Sequence, residues 1–304
     1  MNIEMFFKKF GTEQKCKNHW ILLRKTQGVS CQKCSNVKQY WLKSKEQFQC
    51  ARCGFRTTLR SGTIMDSSKL PYKDWFMAMF FMTMNKSGFS ALMLQRQIGK
   101  KRYEPVWAMM HKIRDLMMFR DEQYLLNGDL ELDEIFVRVA HEKQPGEELK
   151  SGKGSQRHVV SLIAAESERI TDSATHKGKR LGFVKIKPIE GHSSIVAKRA
   201  LLKMIGNIKS FTSDKGSEFK GLSQLAEHIA VVSNKENNDK HLPWIGIITA
   251  NLKRKLLGVY HSVRNSYLDR YIAEFCYKLN RRYFGLRLFE RLINIGVQPY
   301  LVVN

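Results

Sequence analysis

Two sets of residues in this 304-residue chain have the types and spacing for chemistry. The first is cysteine. Four of the six cysteines read Cys31-x2-Cys34 and Cys50-x2-Cys53, fifteen residues apart. Each pair sets two thiolates on one tight knuckle, and two knuckles close a tetrahedron around Zn²⁺, the zinc-ribbon spacing. Four thiolates leave no open position for water, so such a zinc is structural. The opening MNIEMFFKKFGTEQK has no apolar run of a secretory signal, so a reducing compartment is expected and disulfides are not. Cys16 and His19 form an alternative ligand pair that the four closer cysteines make unnecessary, and Cys276 lies in an apolar helical pattern and reads as core. Tyr40, Trp41 and Phe48 lie between the knuckles and are expected to cover a small core that needs the metal to fold. Lys33, Lys38, Lys43, Lys45, Arg52, Arg56 and Arg60 give this segment a basic surface that suits DNA or protein.

The second set is carboxylate. GDLELDEIFV alternates as a strand and carries Asp133. KSFTSDKGSEF reads as a short strand ending in Asp214. Where two such strands are neighbours, the pair offers hard oxygens to Mg²⁺ or Mn²⁺ and leaves positions for phosphate and water. Two metals about 3.5–4 Å apart serve phosphodiester chemistry. Glu131 shares the strand face of Asp133, and Glu134 points away. Taken singly, Asp133 also fits a solvated strand charge, and Asp214 the turn chemistry of an Asp before glycine.

The elements that position these residues follow from periodicity. Residues 70–120 read as three helices, with Pro71 in a first turn, Ser90 as an N-cap, and a turn at Gly99–Arg102. Helix, glycine-containing turn, longer helix is the outline of a helix-turn-helix and equally of many helical hairpins. Met109, Met110, Met117 and Met118 read as core. Beyond 129 the order is β-β-β-α-β-α-β, with a loop over 141–156 and helices near 192–206 and 218–228. That order implies an α/β domain of the RNase H-like kind. The C-terminal stretch 264–291 is expected to form a basic amphipathic helix with Tyr271, Phe275 and Leu279 inward and Arg281 and Arg282 outward. The expected domains are a zinc ribbon with an N-terminal extension (1–62), a helical helix-turn-helix segment (63–127), and an RNase H-like domain with C-terminal helices (128–304).

Composition names the kind of partner. Lys and Arg number 52 against 28 Asp and Glu, net +24. Residues 1–128 carry +14 and residues 129–304 carry +10, so the surplus is not a tail. The charge favours a polyanion, either nucleic acid or an anionic membrane surface, and a duplex such as double-stranded DNA, long enough to touch several parts of the chain, would use such a distribution. No run of 18 apolar residues exists to span a membrane, and no basic amphipathic helix stands out as a membrane-surface element. With 43% hydrophobic residues, the chain is also no candidate for wholesale disorder.

The stretches CQKC…CARC, SGTIMDSSKLPYKDWFMAMFFM, SGFSALMLQRQIG, VWAMMHKIRDLM, ELDEIFV, SDKGSEF, LPWIGIITANLKRKLLGVYH and YIAEFCYKLNRR run in order from about 31 to 283. Together they resemble the ISXO2-like transposases of the IS1595 group of insertion sequences, distant relatives of the Merlin transposases. The resemblance implies a DNA transposase. The ribbon and helix-turn-helix would recognise terminal inverted repeats. A DDE-type domain would hold two divalent metals, cut the element's ends and join the freed 3′-hydroxyl to target DNA. Asp133 matches the first acidic position and Asp214 the second. Lys253 matches the basic residue that contacts DNA near the cut. The chain departs from the pattern at the third position, where a His is expected seven residues before that Lys. Pro243-Trp244-Ile245-Gly246 has Gly246 there, which has no ligand atom. His241, Asn251 or a water takes its place, or the copy is impaired and serves as a DNA-binding protein. The resemblance further implies a homo-oligomer on paired DNA ends, located with the nucleoid in a bacterial cytoplasm or in a eukaryotic nucleus.

Overall fold

A computed structural model describes residues 2–141, 143, 146–150, 155–170 and 178–298. The chain divides into two compact units: Met1–Met117 with Tyr283–Asn304, and Met118–Arg282.

The first unit opens with α1 (Ile3–Phe10) and α2 (Glu13–Gln27), helices within the expected N-terminal extension. Asn2 caps α1 through Met5 N–H, and Thr12 caps α2 through Lys15 N–H. A three-stranded antiparallel sheet follows, β1 (Gln39–Leu42), β2 (Gln47–Cys50) and β3 (Arg56–Thr58). Trp41 faces Phe48 across the first pair, ring centres 4.9 Å apart. Tyr40 was expected to cover this core and does not. It has the opposite strand parity and is 56% exposed. The three helices expected over 70–120 are α3 (Tyr72–Met84), α4 (Ala91–Gln97) and α5 (Glu104–Glu122). Ser90 caps α4 through Met93 N–H, and Gly99 makes the turn at φ 65°. Met109, Met110 and Met117 are buried, as a core stripe requires. α10 (Leu288–Gly296) packs against α3, and Phe289 joins Phe6, Phe10, Phe76 and Phe80 in an aromatic cluster. A Cβ on Gly296 would meet Ile64, Met79 and Trp20 at 3.2–3.5 Å, so glycine lets this helix approach closely.

The second unit is a mixed α/β layer. Its sheet has the order β6-β5-β4-β7-β8. β4 (Leu126–Arg138), β5 (His158–Arg169) and β6 (Lys179–Pro188) are antiparallel, and β7 (Ile205–Asp214) and β8 (Glu227–Val231) join parallel beside β4. Alternation along β4 sorts its side chains. Leu130 and Leu132 pack on one face with Leu201 and Met204, the former from α6 (Ser194–Leu202). Ile135 and Val137 pack on the other with α8 (Pro243–Lys255) and α9 (Asn265–Asn280). The helix expected near 218–228 is absent. Gly216 and the left-handed Gly221 (φ 85°) break the stretch into two single 3₁₀ turns, and β8 starts at Glu227. The short helix α7 (Lys235–His241) precedes α8.

The stretch 264–291 is likewise not one helix, since α9 ends at Asn280. Tyr271, Phe275 and Leu279 point inward as expected. Arg281 does not point outward. It is buried and ion-paired with Asp121, because an unpaired guanidinium there would lack both water and counter-charge. Beside it Asn280 treats β6 as a neighbouring strand would. Its Oδ1 accepts from Val184 N–H at 2.8 Å, and its Nδ2 donates to Val184 O at 2.9 Å and to Asp121 at 3.2 Å. Arg282 donates to Leu181 O on the same strand. This clasp satisfies an edge strand that would otherwise offer open backbone groups. Asn280→Leu leaves Val184 N–H and C=O without partners, removes one of the bonds to Asp121, and is expected to lower stability by about 2–4 kcal/mol. Urea unfolding followed by circular dichroism measures this, and an unchanged midpoint contradicts it.

Candidate metal centre and catalytic cleft

In the first unit the four cysteines converge. All four Sγ atoms lie within 4.8 Å of one another, with Cys31–Cys53 and Cys34–Cys50 at 3.6 Å and Cys34–Cys53 at 3.5 Å. Zn–S bonds of about 2.3 Å in a tetrahedron give edges of about 3.8 Å, so the cluster fits zinc. The two knuckles are built alike. Ser35 N–H bonds Cys31 O and Gly54 N–H bonds Cys50 O, each from a left-handed residue (φ 58° and 69°). Lys33 N–H and Arg52 N–H point at the Cys31 and Cys50 sulfurs, 3.4 Å each. Burial is the largest single influence on Cys50 and opposes its ionisation, but the N–H groups of Cys53 and Arg52 together with hydrogen bonds from the Asn36 and Cys34 side chains draw the thiol down to about 6. Such a thiol is ready to bind metal as thiolate. Cys16 lies apart from the cluster, its Sγ against Phe10 O at 3.2 Å, and burial pushes its thiol up to about 12. His19 packs on Phe10 and Phe76.

In the second unit the ladder between β4 and β7 ends at Leu132 opposite Ser213. The next residue on each strand is Asp133 and Asp214, so the two carboxylates sit side by side. Burial, then repulsion from Asp214, Glu218 and Glu134, pushes the Asp133 carboxyl up to about 7. Asp214 Oδ1 also accepts from Gly216 N–H at 3.0 Å, the turn chemistry its sequence suggested. Glu134 lies on the opposite strand face and bonds His192 at 3.0 Å.

Asp133 opens into a cleft of about 620 Å³ against α8, which brings Gly246, Asn251 and Lys253 to it. Gly246 is exposed there, and a Cβ at that position would meet nothing within 4 Å. Of the two substitutes considered for the absent histidine, Asn251 lines the cleft. His241 is not among its lining residues, and its carbonyl accepts from Lys179 at 3.0 Å. Asn238, which sequence reading missed, lines the cleft with a buried Oδ1 that has no hydrogen-bond partner among the described residues. A carboxylate pair with uncompensated charge and an idle oxygen acceptor fit a hard divalent cation.

One further residue was missed. α8 starts with Pro243 at its first position, and its N-cap Leu242 has no side chain to cap with. Glu131 does this from β4. Its Oε2 accepts from Trp244 N–H at 2.9 Å and Ile245 N–H at 3.3 Å, and its Oε1 from Ser167 Oγ at 2.7 Å. The residue is 1% exposed. Its face, shared with Asp133, was legible from alternation, but its partner was not.

Residues 125–280 match the ISXO2-like transposase domain family, just over half of the 304 residues. The chain belongs to the ISXO2-like transposase family. No curated protein matches it. Among solved structures, a pre-cleavage Mos1 transpososome is 10% identical with a TM-score of 0.24, covering 69% of this chain and 75% of that one. The Mos1 paired-end complex with left transposon end is 12% identical with a TM-score of 0.23 over the same shares. Both are distant likenesses. The matched segment of this transposase holds Asp133, Asp214, Gly246 and Lys253. The cysteine cluster lies N-terminal to it.

Two outcomes are expected. The transposase should carry one zinc per chain by elemental analysis, and Cys50→Ser or a strong chelator should lower the melting temperature of the first unit. Unchanged melting contradicts a structural zinc. Without divalent ions, the raised Asp133 carboxyl favours the folded state at low pH, and that advantage is lost as pH rises from about 4 through 7. Asp133→Asn should therefore stabilise the metal-free protein by roughly 1–3 kcal/mol at pH 8 and by little at pH 4. Equal effects at both pH values contradict this.

Proposed function

We propose that the chain is a DDE-type transposase that binds the terminal inverted repeats of its element, cleaves at the ends and joins the freed 3′-hydroxyl to target DNA. The carrying observation is the placement of Asp133 and Asp214 side by side, on neighbouring parallel strands of a β6-β5-β4-β7-β8 sheet. We read that sheet as RNase H-like. Asp133 and Asp214 would hold Mg²⁺ or Mn²⁺, with Asn238 or Asn251 offering an oxygen where the family has histidine. The bound metals would supply Lewis-acid activation of water or a 3′-hydroxyl and charge neutralisation at the leaving oxygen. The chain's own groups shape the site for this. Glu131 fixes α8 over the sheet, and Lys253 on that helix is placed to contact a phosphate beside the cut. Helices α4 and α5, read as a helix-turn-helix, together with the zinc ribbon, would recognise the repeats. On this reading the protein works as a homo-oligomer on paired ends, wherever its element's DNA resides.

One observation favours a second reading. Gly246 leaves the third position without a ligand atom, which suits a copy that binds ends without cutting them. A strand-transfer assay with pre-cut ends and Mn²⁺ separates the two. The first reading predicts joining by the native chain and a loss of about a hundredfold or more in Asp133→Asn and Asp214→Asn with end binding kept. End binding without joining, restored by Gly246→His into the open cleft, would establish the second.

A further inference from the structure

Strand β4 runs past its parallel partner. Its ladder with β7 stops at Leu132, while on the other side it stays paired with β5 as far as Arg138 opposite His158. From Glu134 to Arg138, one edge of β4 has no strand beside it among the described residues. A groove of about 620 Å³ lies at this end of β4, between Phe136–Val139, the start of β5 and the π-helical turn Leu256–Tyr260 that follows α8.

The lining of this groove is basic. Arg138, His141, Arg157, His158, Lys253 and His261 face it, and no carboxylate lines it among the described residues. His141 bonds Glu147 at 2.8 Å. Arg138 and Arg157 are exposed and have no ion-pair partner among the described residues. His261 ends the π turn at φ 58° and ψ −50°, a left-handed conformation that costs energy outside glycine. Lys253 lines both this groove and the Asp133 cleft, so the two run into each other. Five residues of extended strand separate Asp133 from Arg138, roughly 16 Å, close to five base-pair rises of a duplex.

We propose that this groove holds the sugar–phosphate backbone of the DNA that continues beyond the bond at Asp133 and Asp214, the flank on one side of the cut. The inference rests on the transposase reading above and adds where the flank lies. Guanidinium forks bind phosphate oxygens without reading bases, which suits flanking DNA of any sequence. A neutral polypeptide pairing with the open edge of β4 would have no use for the cations Arg138, Arg157 and Lys253.

The test is DNA binding by the full-length protein, followed by fluorescence anisotropy over a salt series without Mg²⁺ or Mn²⁺. Sequencing of the DNA on both sides of the gene supplies the inverted repeat that two duplexes then carry, and the absence of any such repeat counts against the transposase reading. One stops at the cut, and the other continues by about ten base pairs, one helical turn. Arg138→Ala/Arg157→Ala should flatten the salt slope by about 2 on the flanked duplex and leave the slope on the flank-free duplex unchanged. Arg138→Lys/Arg157→Lys should keep most of the native slope, which separates lost charge from lost fold. Equal flattening on both duplexes, no flattening on either, or a lysine variant as weak as the alanine one overturns the inference. A native chain that prefers the repeat over random duplex, paired with any of these results, leaves the transposase reading standing. A native chain with no such preference overturns both.

Discussion

The second unit depends on one buried carboxylate. Glu131 sits two residues before Asp133 on the same face of β4 and closes the N-terminus of α8. A helix that starts Leu-Pro cannot cap itself, and its first N–H groups would be buried without partners. The carboxylate satisfies two of them and meets the positive end of the helix dipole. Burial pushes its carboxyl up, while Ser167, the Trp244 and Ile245 N–H groups and Lys179 hold the charged form in place. Because Glu131 and Asp133 share a strand face, this tie fixes the distance between the acidic strand and the helix that carries Gly246 and Lys253. One short stretch, Glu131-Leu132-Asp133, thus supplies a cap for α8, a core residue for the opposite face and the carboxylate that opens into the cleft.

Charge is arranged on the same plan. The chain carries a surplus of 24 positive charges, yet burial, with repulsion from Asp214 second to it, pushes the Asp133 carboxyl up to about 7. Basic side chains surround this small acidic centre on the groove side. On the proposed function the surplus would hold DNA, and divalent cations would sit where the acids meet. In the first unit the four-cysteine cluster fits a structural zinc, which a small three-stranded sheet would use to supplement its core.

What the sequence disclosed follows the range of the interactions. The four-cysteine cluster was legible because each knuckle is a local structure of four or five residues. The Asp133–Asp214 pair was legible because alternation and strand order together make the two strands neighbours. The inward course of Arg281 was not, since its partner Asp121 lies 160 residues away. The cap by Glu131 escaped for the same reason, its helix being 113 residues further on. The helix expected near 218–228 does not form because the left-handed Gly221 interrupts the stretch, leaving single 3₁₀ turns on either side of it.

The central claim is that Asp133 and Asp214 form one divalent-cation site. Isothermal titration of Mn²⁺ into the zinc-loaded protein at pH 7, in buffers of different ionisation enthalpy, tests it most directly. The account predicts binding with release of a fraction of a proton, because the Asp133 carboxyl is partly protonated at that pH, and loss of both binding and proton release in Asp214→Asn. Mn²⁺ binding that survives Asp214→Asn unchanged, or native protein that takes up no Mn²⁺, would contradict it.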